Sequence, residues 1–263
     1  MSVDDETTEG LINRVGKWLQ EQGYPLEMRT ARQFQSKGLW ATLGHYYRDI
    51  ETGHQRETDV FVNAHREIEG AGTASVCLTI ECKSSRTKPW VIFTGEPEPH
   101  PMVRGLRRSQ RLVAPESSWL WDILDKLDDA HPVPLLDAYE PLGHSIARAH
   151  GGSNEDVAFG AIMAASKAAA GMRQENAEFG FDFPTVVLPV VLIDAPLLKC
   201  SLDGDGEPQL SVIDRGTVMW SFQLAPDLPP FTAVTVVTSA GVPDLVDDLI
   251  TTAESLASVR SSE

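Results

Sequence analysis

Two short stretches hold the residue types that hydrolytic chemistry on phosphates needs. They are Arg56-Glu57-Thr58-Asp59-Val60-Phe61-Val62 and Leu78-Thr79-Ile80-Glu81-Cys82-Lys83-Ser84-Ser85. The first sets one carboxylate, Asp59, inside a β-branched and aromatic run. The second sets an acid and an ammonium two residues apart at the end of another such run. Side chains alternate across a strand, so Glu81 and Lys83 share one face and Val76, Leu78, Ile80 and Cys82 share the other. Paired strands lie about 4.8 Å apart, close enough for Asp59 and Glu81 to hold one cation between them. Two acids and a lysine at a sheet edge are the parts of metal-assisted phosphodiester hydrolysis.

The surrounding pattern supplies elements to position them. Apolar Leu11, Ile12, Val15, Trp18 and Leu19 recur with a helical period over 8–22, and Gly23 stops that helix. Pro25 suits the first turn of a second helix, 26–36, ended by Gly38. Residues 39–50 read as a strand, 51–54 as a hairpin loop, 56–63 as the Asp59 strand, 67–74 as a turn, and 75–83 as the Glu81 strand. The stretch 95–118, rich in proline and arginine, reads as loop, and 118–129 as a short helix. Gly151 to Asn154 would cap a long alanine-rich helix reaching about residue 173. The almost wholly apolar 184–193 reads as a strand covered on both faces. A turn at 203–206, a strand over 209–220, another over 231–238 and a closing helix over 243–259 complete the chain.

The 263 residues suffice for one sizeable core. No apolar run reaches the roughly 18 residues of a membrane span, so no membrane association is expected. The acidic N-terminus lacks the regions of a signal peptide, and Cys77, Cys82 and Cys200 show no CxxC spacing, which together point to a cytoplasmic protein with reduced thiols. The net charge of −16 is unevenly spread: residues 1–116 carry 15 basic against 16 acidic side chains, and 117–263 carry 7 against 22. Within the first half Lys83, Arg86, Lys88, Arg104, Arg107, Arg108 and Arg111 form the densest basic stretch. Arg86, Lys88 and the four arginines after them are candidate nucleic-acid-binding residues, a local patch for phosphates on an otherwise repelling chain.

Element order and motif together resemble the PD-(D/E)XK phosphodiesterase superfamily, the restriction endonuclease-like fold, and its Mrr-like branch in particular. That core runs helix, three antiparallel strands, helix, strand, with an Asp on the second strand and Glu-x-Lys on the third. Here those positions are Asp59, Glu81 and Lys83. Leu26-Glu27, followed by Thr30, Phe34 and Gly38, fits the helix glutamate that often precedes the sheet. Thr58 stands where the family name has proline, a residue without a chemical role. The resemblance implies an α/β fold, a mixed sheet flanked by helices, in a single domain with core segments 25–93 and 154–240. An insertion at 95–150, the N-terminal helix and a C-terminal strand–helix extension complete it.

It further implies that Asp59 and Glu81 hold Mg²⁺, with Mn²⁺ as a substitute, and that Lys83 and Glu27 complete the catalytic set. The expected activity is hydrolysis of nucleic acid, DNA in preference to RNA, in microbial defence or DNA processing. The alternative is a catalytically inactive module of the same fold that binds nucleic acid or a partner protein; a homodimer is also left open. Simpler readings exist residue by residue. Glu81 and Lys83 could form a solvated salt bridge, Asp59 could guard an edge strand, and Glu27 could pair with its helix dipole. Ser166 and Lys167, adjacent on a helix, point about 100° apart and read as packing. Trp40, Tyr46 and Tyr47 offer base-stacking surfaces, but alternation puts at least some of them in the core.

Overall fold

The structure, a computed structural model, describes residues 8–68, 72–84, 88–95, 112–114, 126–127, 130–137, 140–150, 156–179, 183, 185–220, 224 and 232–259. Helices α1 (Thr8–Glu21) and α2 (Tyr24–Ser36) lead into strands β1 (Trp40–Arg48), β2 (Gln55–Ile68) and β3 (Gly72–Ser84). Next come β4 (Trp90–Phe93), β5 (Leu112–Ala114), the short α3 (Pro134–Asp137), β6 (Leu142–Gly143) and β7 (Ser145–Arg148). The long α4 (Val157–Phe179) precedes β8 (Thr185–Asp194), β9 (Leu197–Leu202), β10 (Pro208–Ile213), β11 (Arg215–Trp220) and β12 (Thr232–Thr238). A 3₁₀ turn (Ser239–Gly241) and α5 (Val242–Ser258) follow. Among the described residues no helix is long and apolar enough to cross a membrane.

The fold is mixed α/β. An eight-stranded sheet runs β1-β2-β3-β8-β12-β11-β6, with β5 also paired to β8. Strands β1 to β3 form an antiparallel meander, β3, β8 and β12 are parallel neighbours, and β11 turns antiparallel to β12. One face is covered by α2 and α5, where Leu26, Phe34, Leu245, Leu249 and Leu256 pack on Val60, Val62, Val76, Leu78 and Ile80. Each such fully buried side chain contributes about 1.5–3 kcal/mol. The other face is covered by α4, and beside it by a four-stranded sheet ordered β10-β9-β4-β7. The alanines of α4 let it lie close to the strands. Gly171 marks the tightest point, since a Cβ there would stand 2.5 Å from the Arg48 carbonyl oxygen and 2.7 Å from Tyr47 Cδ2.

Several expectations need correction. The helix expected to be capped by Gly151 to Asn154 starts at Val157, and its cap is Asp156, whose Oδ1 accepts from the Ala158 and Phe159 N–H groups. Those glycines and Glu155 lie outside the described residues, as does most of 118–129. The strand expected over 209–220 is two strands broken at Asp214, where the chain leaves the small sheet for the large one. Residues 197–202, left without an element, form β9, a β-branched-poor strand that its partners β10 and β4 hold extended. The turn expected over 67–74 shrinks, because β2 extends to Ile68 and β3 begins at Gly72. The described strands of the expected insertion at 95–150 pair with both sheets: β5 joins β8, β6 joins β11, and β7 joins β4.

Candidate active site

Strands β2 and β3 pair in register from Ile68↔Gly72 to Val60↔Ile80. Carried one residue further, that register sets Asp59 opposite Glu81, at the point where the ladder ends and the two strands part. There Asp59 turns its carboxylate onto β3, and Oδ2 accepts the Cys82 N–H at 2.7 Å. Thr58 is buried beside it, its hydroxyl donating toward the Ile80 carbonyl at 3.5 Å. Alternation holds along β3. Ile80 and Cys82 face the α2/α5 core, while Thr79 donates to the Ala165 carbonyl of α4, so Glu81 and Lys83 share the α4 side. Lys83 Nζ donates to Glu81 Oε1 at 2.5 Å, with 33% of the lysine and 14% of the glutamate side chain exposed.

Glu27 arrives from the opposite face. Gly23 and Pro25 start α2 so that its first turn reaches the same sheet edge, and the Glu27 carboxylate feels the charges of Asp59, Glu57, Glu81 and Lys83. A helix N-terminus favours the charged form of an acid. Here partial burial and repulsion from Asp59, Glu57 and Glu81 prevail, and the Glu27 carboxyl is pushed up to about 7. Burial also raises Asp59, against the pull of the Cys82 N–H and Lys83. Glu81 is raised by burial and by Asp59, more than Lys83 lowers it. Burial works to lower Lys83, yet Glu81 and Asp59 outweigh it and hold the ammonium charged. Three acids and one lysine thus form a single electrostatic unit, with more negative charge than Lys83 alone offsets.

Two neighbours of this unit were not singled out from the sequence. Glu57 lies two residues before Asp59, a spacing that could have flagged it. Its carboxylate packs over Gly44, whose φ of 62° favours glycine, with Oε1 2.7 Å from where a Cβ there would stand. Tyr47 is buried against α4, and burial with nearby Asp49 pushes its hydroxyl up to about 12, the charge of Glu81 adding to the effect. No local signal separates Tyr47 from its exposed neighbours Tyr46 and Trp40, which project into solvent. Ser166 is buried and Lys167 is paired with Glu51, in keeping with a packing role.

The donor set suits a hard divalent cation: carboxylate oxygens whose mutual repulsion a cation would relieve. Among the described residues, no three His, Cys, Asp or Glu side chains already surround one point as a finished cage. Magnesium does not require one, since it binds through one or two carboxylates and completes its shell with water and substrate phosphate. Of the basic patch, Lys88 is half-buried just ahead of β4, whereas Arg86, Arg104, Arg107, Arg108 and Arg111 lie outside the described residues. Beside the site, at the carboxyl ends of β8 and β12, opens a crevice of about 370 Å³ bordered by Ile193, Asp194, Asp214 and Ser239. The β3–β8 register puts Lys83 next to Ile193 and Ser84 next to Asp194. The chain matches no known protein family, no curated protein and no solved structure.

Proposed function

We propose that this protein is a divalent-metal-dependent phosphodiesterase acting on nucleic acid, DNA in preference to RNA. The observation that carries the reading is the meeting of Asp59, Glu81 and Lys83 where β2 and β3 separate, within the electrostatic reach of Glu27. The sequence α2-β1-β2-β3-α4-β8, with β8 parallel to β3, supports the restriction endonuclease-like resemblance. Asp59 and Glu81 would hold the ion, and Glu27 a second ion or a bridging water. Bound there, a divalent cation polarises a phosphoryl group and lowers the pKa of an associated water. Lys83 supplies a compact positive charge for a phosphate oxygen as charge builds in the transition state. As the holder of a bridging water, Glu27 would position the attacking water against the phosphorus.

Asp59→Asn tests this, because the asparagine oxygen can still accept the Cys82 N–H and keep the strand end folded. Cleavage of single- and double-stranded DNA and of RNA is followed with Mg²⁺ or Mn²⁺, beside circular dichroism. A loss of about 100-fold or more at unchanged spectrum is expected. Full activity in Asp59→Asn would refute the assignment. So would a wild-type protein that neither cuts any of these substrates nor takes up Mn²⁺ by calorimetry. Salt-sensitive binding without cleavage would leave the recognition module in its place.

A further inference from the structure

The crevice beside the site exists because of the way two neighbouring strands end. β8 and β12 run parallel and stay paired up to Ile193↔Thr238. β8 then leaves for the small sheet on the α4 side, whereas β12 turns through the 3₁₀ segment into α5 on the opposite face. Where adjacent parallel strands depart to opposite faces, an opening is left outside their carboxyl ends, the usual seat of ligands in open α/β sheets. Here it measures about 370 Å³, within the range of small-molecule sites. Its walls are apolar, from Ile193, Pro196, Leu197 and Val212. The polar side chains around it are chiefly acceptors. Asp194 and Asp214 border it, and Thr238 commits its hydroxyl proton to Asp214 Oδ1 at 3.1 Å. Ser239 also borders it, and its buried Oγ has no hydrogen-bond partner. Such a hydroxyl costs stability until a ligand supplies the missing bond.

We infer that the crevice receives one unstacked nucleobase of the substrate strand and selects bases that carry an amino group, adenine, cytosine and guanine, over thymine and uracil. The inference rests on the phosphodiesterase reading and names the substrate class of that same site. An apolar slot suits a flat ring, and carboxylates accept from amino groups. Thymine and uracil present a carbonyl on each side of a single N–H, which would set oxygen against oxygen. Position agrees with this occupant. Lys83 lies next to Ile193 and Ser84 next to Asp194, on strands about 4.8 Å apart, so the crevice begins one strand from Lys83. Its flank toward α2 carries Arg29, whose Nη2 is 4.0 Å from Asp194 Oδ2. The phosphates then pass over Lys83 and Arg29 while the base turns down toward the two aspartates. A base stacked within a duplex cannot enter, so the substrate is a single strand or an extruded nucleotide.

Fluorescence anisotropy of the full chain tests the inference, in chelator so that no strand is cut. The probes are labelled homopolymers of deoxyadenosine, deoxycytidine and thymidine, about ten nucleotides long, and a mixed-sequence duplex of equal length. The adenine and cytosine strands should bind at least about tenfold tighter than the thymine strand or the duplex. Asp214→Ala is the decisive variant, at an exposed position. Loss of a negative charge alone would tighten every strand alike. Loss of a base contact should instead weaken the adenine and cytosine strands about tenfold and leave the thymine strand unchanged or tighter. Ser239→Ala, which breaks no side-chain bond in the free protein, should weaken the same two strands about threefold at unchanged circular dichroism. Equal affinity for the three homopolymers, a preference for duplex, uniform tightening in Asp214→Ala, or wild-type binding by both variants overturns the base site and leaves the cleavage reading standing. A protein that neither binds these strands nor cuts nucleic acid loses both.

Discussion

Glu27 gives the sharpest physical test, because its titration is set by the neighbours that define the site. A carboxyl that moves from 4.5 to about 7 on folding prefers its neutral form in the native state. The unfolded chain therefore releases that proton first, and stability contributed at low pH is lost as pH rises from about 4.5 through 7. Taken at face value the shift penalises the charged form by roughly 3 kcal/mol. Much of the Glu27 side chain is in water, and solvent screening reduces the penalty to about 1–2 kcal/mol. Glu27→Gln removes the charge and keeps the shape. In urea unfolding with chelator present, the variant should exceed wild type by about 1–2 kcal/mol at pH 8 and by little at pH 4.5. An equal difference at both pH values would mean the effect is packing or helix propensity. No gain at pH 8 would mean that Glu27 does not share a field with Asp59, Glu57 and Glu81, and the site would lose its fourth member.

Two further outcomes follow from the same geometry. Lys83→Met leaves Glu81 facing Asp59 without its cation; with the lysine one-third exposed, the cost should be about 1–2 kcal/mol at pH 8. The loss should shrink as pH falls and Glu81, already raised, takes up a proton, and a pH-independent loss in urea melts would refute the coupling. Gly171→Ala forces a methyl into the Arg48 carbonyl and Tyr47 where α4 meets β1; about 1–3 kcal/mol of destabilisation is expected in thermal melts. A neutral result there would show that the helix can slide without cost.

The sequence alone determined the local elements wherever a strong period and clear stop signals coincide. The α2 helix, the β1–β3 meander, the doubly buried β8 and the closing α5 were all legible, and with them the placement of Asp59, Glu81 and Lys83 on neighbouring strands. Alternation is a property of the backbone, so the shared face of Glu81 and Lys83 needs no tertiary information. Tertiary structure decided the rest. The break at Asp214 comes where β10 pairs with β9 and β11 with β12, and β9 is seated in its sheet by β4, a strand more than a hundred residues earlier, which no local window contains. The charge state of the site was equally hidden. Glu27 comes from the far face of the sheet and Glu57 folds over Gly44, and only their approach to Asp59 and Glu81 in a partly dry edge turns ordinary acids into a coupled set. Burial and through-space repulsion depend on distances between elements, and those distances are fixed by packing rather than by any spacing along the chain.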